Sequence, residues 1–396
     1  MINGHGDDIY RYGGIRCNFS SNISPLIDTS PLRQHLAERL TLINHYPEPD
    51  AYSLEVLIAA KHGISPNEVL VTSGATDAIY LIAQTLRDEG SFAVKRPTFS
   101  EYADACRIYG YKEVVGEASK LYDNEVVGEA SKLCDNEVVG EASKLYNSEV
   151  VGEASKLYQE DCRKAWKLHP LVCWLCNPNN PTGEVQTTDT IKELARHHRW
   201  LVIDQSYEDY TLEPLLSVQN VIDMQNVIVI HSMTKRFAIP GLRLGYITAP
   251  SAVIDRLRAN YRPWAVNALA IEAGCYLLQS LEASPTISLS QSLEASPTIL
   301  ERLLEETARL RNRLREISGI HVYPTSTNFM LCSIQQSTAA ELKEYLLAHH
   351  GFLIRDASNF EGLNDCHFRI ATQLPECNDE LVEAIQTFVN KIKRNA

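Results

Sequence analysis

Ser232, Lys235 and Arg243 lie in HSMTKRFAIPGLRLGY as S-x-x-K followed eight residues later by arginine. An amine at that spacing can form an imine with a carbonyl while the hydroxyl and guanidinium hold a nearby phosphate. Asp204 closes the run LVID, and Tyr207 stands three residues on. A carboxylate there can bind metal or cap the next turn. Facing a ring nitrogen, it would instead keep that nitrogen protonated, with the phenol donating to an oxygen of the same ring. Asn180 precedes Pro181 in NPNNPTG, which is a proline-rich turn or, as a site, a fixed amide reaching a ligand ring. Gly74, Ala75 and Thr76 open a helical pattern, where free backbone N–H groups bind phosphate. Phe99 in PTFSEY could stack on a planar ligand.

These side chains need elements to carry them. Apolar runs predict strands at Glu68–Thr72, Ser91–Val94, Leu171–Cys176, Leu201–Asp204, Val227–Ser232 and Leu244–Thr248. Helical patterns such as Ala75–Arg87 and Thr188–His198 alternate with them, which predicts an α/β fold with a mainly parallel sheet covered on both faces. Lys235 then falls at the C-terminal edge of the sheet, where open α/β sheets bind ligands. After about residue 265 the pattern changes to long helices, a β-rich stretch (319–333, 351–354, 367–371) and a last helix. This reads as a second, smaller α+β domain.

Fifty acidic residues against 37 Lys and Arg leave a net charge of −13, so nucleic acid and anionic membrane surfaces are excluded as natural partners. No apolar run approaches the ~18 residues of a membrane helix, and MINGHGDDIY has neither a basic start nor an apolar core, so a cytoplasmic place is expected. The ten Cys show no disulfide-like framework, as suits a reducing compartment. Cys173 and Cys176 share an apolar strand and would face opposite sides, which argues against a metal held between them. Residues 113–160 are four near-identical twelve-residue units beginning EVVGEASKL, and QSLEASPTI recurs at 279 and 291. Both read as tandem duplications tolerated at the surface, the second as a bulge or kink where Pro285 and Pro297 break a helix.

In order and spacing, the phosphate loop, aromatic, Asn-Pro, Asp-x-x-Tyr, Ser-x-x-Lys and Arg resemble the pyridoxal-phosphate (PLP) enzymes of the aspartate aminotransferase fold. The segments HGDDIYRYGG, NFSSNISPL, HYPEPDAYSL, PTFSEY, RPWAVNALA and LIRDASNFEGLNDCHFRIA narrow the resemblance to the branch of histidinol-phosphate aminotransferases and L-threonine-O-3-phosphate decarboxylases, and lie closer to the decarboxylases. The resemblance implies fold type I, with a large domain built on a seven-stranded, mainly parallel sheet (31–265), a small C-terminal domain (266–396) and an N-terminal arm (1–30) joining the small domain and the site. It implies that Lys235 carries the cofactor as an imine, that Asp204 pairs with the pyridine nitrogen and that Asn180 and Tyr207 bind the 3′-oxygen. Gly74, Ala75, Thr76, Ser232 and Arg243 would hold the phosphate, with Phe99 against the ring. Arg369, Arg355, His5 and Asn22 would form the substrate's anion site. Tyr46 would reach the cofactor phosphate of the neighbouring subunit in a homodimer.

The expected activity is PLP-dependent decarboxylation of L-threonine-O-3-phosphate for the cobalamin side chain. A histidinol-phosphate type aminotransferase uses the same catalytic set and is the alternative. A silent scaffold built on the repeats is the reading from another class, and the intact Lys235, Asp204 and Arg243 argue against it.

Overall fold

Long apolar runs without alternation need cover on both faces, and they occupy the centre of this molecule. The computed structural model describes residues 8–114, 171–283 and 298–395. His5, most of the fourfold array and the middle of the second duplication lie outside them. The strands are β1 (Cys17–Asn18), β2 (Val69–Thr72), β3 (Ser91–Val94), β4 (Lys112–Glu113), β5 (Val172–Cys176), β6 (Trp200–Asp204) and β7 (Val227–Ser232). They continue as β8 (Gly245–Thr248), β9 (Ile320–Val322), β10 (Phe329–Ile334), β11 (Phe352–Leu353), β12 (Arg355–Asp356) and β13 (His367–Ala371).

Seven of them form one sheet in the order β2-β8-β7-β6-β5-β3-β4. β8 runs antiparallel to β2 and β7, and the other neighbours are parallel. Val202, Ile228 and Ile230 pack on one face with Ala78, Ile79 and Ile82 of the helix Gly74–Thr85. Leu201, Ile203 and Val229 pack on the other with Ile191 and Leu194 of Thr188–His197, which Thr187 caps by accepting from Thr190 N–H. Cys173 belongs to this second core and Cys176 to the first, so the two thiols do face opposite sides. Glu68, expected in a strand, instead ends a 3-10 turn, because Ser65 and Glu68 make a reciprocal capping box.

A four-stranded antiparallel sheet, β12-β13-β10-β9, packs Met330, Cys332, Phe368 and Ile370 against Leu342, Leu346, Leu381 and Ile385 of two helices. β1 pairs in parallel with β11 and carries Phe19 into the same core. One expectation fails here. Cys17 and Cys377 form a disulfide between the arm and the C-terminal helix Pro375–Asn395, a pairing that 360 residues of separation hide in the sequence. Among the described residues no helix is long and apolar enough to cross a membrane.

Candidate active site

Three parallel strands end side by side, in a register that matches Cys176 with Asp204 and Asp204 with Ile230, two residues before Ser232. Their C-terminal ends form the floor of a cavity of about 420 Å³. It is lined by Asn22, Ala75, Thr76, Phe99, Asn180, Asp204, Tyr207, Ser232, Lys235, Arg243, Arg355 and Arg369, twelve of the residues singled out in the sequence. Gly74 adjoins it through Arg243. Tyr46 is elsewhere, 87% exposed with its ring 5.5 Å from that of Trp264.

Lys235 lies on the short helix Met233–Arg236 that follows β7, half-buried, its Nζ 5.8 Å from the centroid of the Tyr207 ring. Its own carbonyl accepts from the Tyr210 hydroxyl at 2.8 Å. Asp204 is 4% exposed. Burial pushes its pKa up, and hydrogen bonds from Ser206 and Tyr102 oppose that rise. Ser206 N–H donates to Oδ1 at 2.8 Å and the Tyr102 hydroxyl to Oδ2 at 2.8 Å. Burial likewise drives the Tyr207 phenol up to about 12, and Asn22 Nδ2 donates to its oxygen at 3.1 Å.

One end of the cavity is built by close backbone approach. Gly74 has φ +82°, and a Cβ there would meet Arg243 Nη2 at 2.6 Å. A Cβ on Gly245 would meet Ala75 N at 2.9 Å, so the first turn of the helix Gly74–Thr85 sits directly against β8. Arg243 itself adopts a left-handed φ of 56°, unusual for a non-glycine residue. Ser73 makes no side-chain cap, and the first N–H groups of a helix are of the kind that bind anions.

At the other end Arg355 and Arg369 are cross-strand partners on β12 and β13, 9% and 5% exposed. Arg369 donates to Asn180 Oδ1 and, at 2.7 Å, to the carbonyl of Ser20 on the arm. Arg355 donates to Asn359 Oδ1 at 2.7 Å, and burial lowers its pKa. Asn22 Oδ1 is buried with no hydrogen-bond partner among the described residues, an acceptor left for a donor from the cavity. Sequence reasoning missed Tyr102, Cys176, Ser206, Asn359 and Phe360. Tyr102 was within reach, because it closes the motif PTFSEY that yielded Phe99.

Fold and cavity together define an α/β protein that brings an amine, a buried acid and an anion cradle into one cleft at the edge of its sheet. A family profile described as "Aminotransferase class I and II" matches residues 18–385. The chain belongs to that family, whose members are PLP-dependent enzymes of fold type I. It is 26% identical to the threonine-phosphate decarboxylase of Salmonella typhimurium, over 95% of this chain and 92% of that one. It is 25% identical to histidinol-phosphate aminotransferase 2 of Archaeoglobus fulgidus, over 93% and 92%. The crystal structure of L-threonine-O-3-phosphate decarboxylase from Porphyromonas gingivalis matches with a TM-score of 0.75 and 33% identity, covering 94% of this chain and 99% of that one. The residues present fit the cofactor: a cradle that a Cβ at Gly74 would fill, a buried acid and an amine share one cavity.

Proposed function

We propose that the protein decarboxylates a small phosphorylated amino acid, L-threonine-O-3-phosphate, to aminopropanol phosphate. The observation that carries this reading is the pair Arg355 and Arg369. Like charges directly opposite on neighbouring strands repel, and both guanidiniums are buried at the cavity wall. A substrate bearing two anionic ends, carboxylate and phosphate, offsets that cost. The likeness to the Porphyromonas gingivalis decarboxylase supports the same choice.

When bound, PLP supplies an electron sink for charge developing at the substrate's Cα. The chain's residues do the rest. Lys235 would hold the cofactor's aldehyde and afterwards return a proton to Cα from within the cavity. Asp204 would keep the proton on the ring nitrogen, Asn180 and Tyr207 would hold the 3′-oxygen, and Phe99 would face the ring. Gly74, Ala75, Thr76, Ser232 and Arg243 would anchor the phosphate. Arg355, Arg369 and Asn22 orient the substrate, and that orientation decides which bond at Cα breaks.

An aminotransferase of the histidinol-phosphate type is the second reading, supported by the Archaeoglobus relative. Incubation with L-threonine-O-3-phosphate should release CO2 without a keto acid. Amino transfer to 2-oxoglutarate with histidinol phosphate and no CO2 release would replace decarboxylase by aminotransferase. We take the partner to be a second copy of the chain, covering exposed Leu40, Ile43, Tyr46, Tyr52 and Trp264. A monomer in sedimentation at micromolar concentration would refute it.

A further inference from the structure

We propose that Tyr102 is a positioning residue for Asp204, its hydroxyl holding the acid in the charged form and orientation that a protonated pyridine nitrogen requires. This deepens the reading of Asp204 given above and rests on it. Tyr102 sits on the helix Glu101–Ile108, 1% exposed, with its hydroxyl 2.8 Å from Asp204 Oδ2. Its ring stacks on Trp174 of β5 at 5.6 Å and 20°, and meets the edge of Phe99 at 5.8 Å and 80°. β5 lies between β3 and β6, so the ring crosses β5 to reach an acid on the next strand.

The chemistry turns on where one proton resides. A wholly buried carboxylate favours its neutral form, and a neutral acid cannot pair as an ion with the ring. Ser206 N–H pins Oδ1 from the turn that follows β6. Without Tyr102, Oδ2 would lose the donor that offsets its burial, and the shared proton would shift from ring to acid. Phe99, on the loop just before the helix, would touch the cofactor's face while Tyr102 governs its nitrogen through Asp204. PTFSEY would thus serve both the ring's face and its nitrogen.

A double-mutant cycle tests this, reading the affinity of the apoenzyme for PLP by absorbance titration. Tyr102→Phe keeps the stacked ring and removes the hydroxyl. It should weaken PLP binding about tenfold, the worth of a hydrogen bond to a charged group. In an Asp204→Asn background the same change should cost less than about twofold, because the carboxylate charge that the hydroxyl holds is already gone. With substrate, Tyr102→Phe should lower kcat and leave KM within about twofold. Wild-type affinity in Tyr102→Phe overturns the proposal, and so does an equal loss in both backgrounds, which would mark a packing role. Full affinity and rate in Asp204→Asn alone would instead sink the reading of Asp204. Should Tyr102→Phe fail to fold, Tyr102→Leu, which likewise carries no donor, enters the same cycle, and an equal loss in both backgrounds again overturns the proposal.

Discussion

At the scale of single residues, Lys235 and the arginine pair carry separate parts of the chemistry. The lysine emerges where β7 passes into a four-residue helix, so its main chain is fixed by the sheet while its amine faces the cavity. Borohydride treatment of the PLP-loaded protein should fix the cofactor covalently at Lys235, read by peptide mass. In Lys235→Ala that adduct and the bound cofactor's visible absorbance should both vanish; an adduct on another lysine would remove Lys235 from its role. Arg355→Gln should relieve the repulsion across β12 and β13 yet cost substrate binding. Its KM for threonine phosphate should rise about 10- to 100-fold, as expected when a charged hydrogen bond is lost, with PLP affinity unchanged. The types of these residues were readable from the sequence. Their opposition was not, because cross-strand register between Arg355 and Arg369 is set by pairing in space.

At the scale of elements, legibility followed burial. β2, β3, β5, β6, β7 and β8 are covered on both faces and so spell continuous apolar runs that the sequence betrays. The two-residue strands β1, β4 and β12 have no such pattern, since tertiary pairing alone makes them strands. β4 matters nonetheless. Glu113 on it and Glu361, next to the cavity-lining Phe360, are both bound by Arg96 and Arg107. Burial works against the Glu113 carboxylate, but the two guanidiniums outweigh it and hold its pKa below the usual value. The four charges clasp the loop that carries Asn359 and Phe360 to the edge of the large sheet. Glu361→Gln should loosen that clasp and raise KM about two- to fivefold with kcat retained, the scale of a partly exposed ion pair. The difference from wild type should shrink in 1 M salt, where such pairs are screened. A KM indifferent to both the substitution and salt would show the clasp plays no part in binding.

At the scale of the whole molecule, the N-terminal arm joins the core of the four-stranded sheet to the cavity over a few residues. Cys17 is bonded to Cys377, Arg16 pairs with Glu380 on the same helix, the Phe19 carbonyl accepts from Ala371 N–H at 2.9 Å, and Ser20 receives Arg369. Asn22 then reaches Tyr207. A cross-link closing so long a loop restricts the unfolded chain, worth about 2–4 kcal/mol. The same bond holds the arm's entry point three residues from the carbonyl that orients Arg369. Cys17→Ser should therefore lower Tm by about 5 °C and raise KM for threonine phosphate more than it changes PLP affinity. Dithiothreitol should reproduce both effects in the wild type and add nothing to the variant. Peptide mapping without reductant should recover Cys17 and Cys377 as one linked pair. Free thiols at both positions in protein purified without reductant, together with an unchanged Tm on adding it, would mean that hydrogen bonds alone hold the arm.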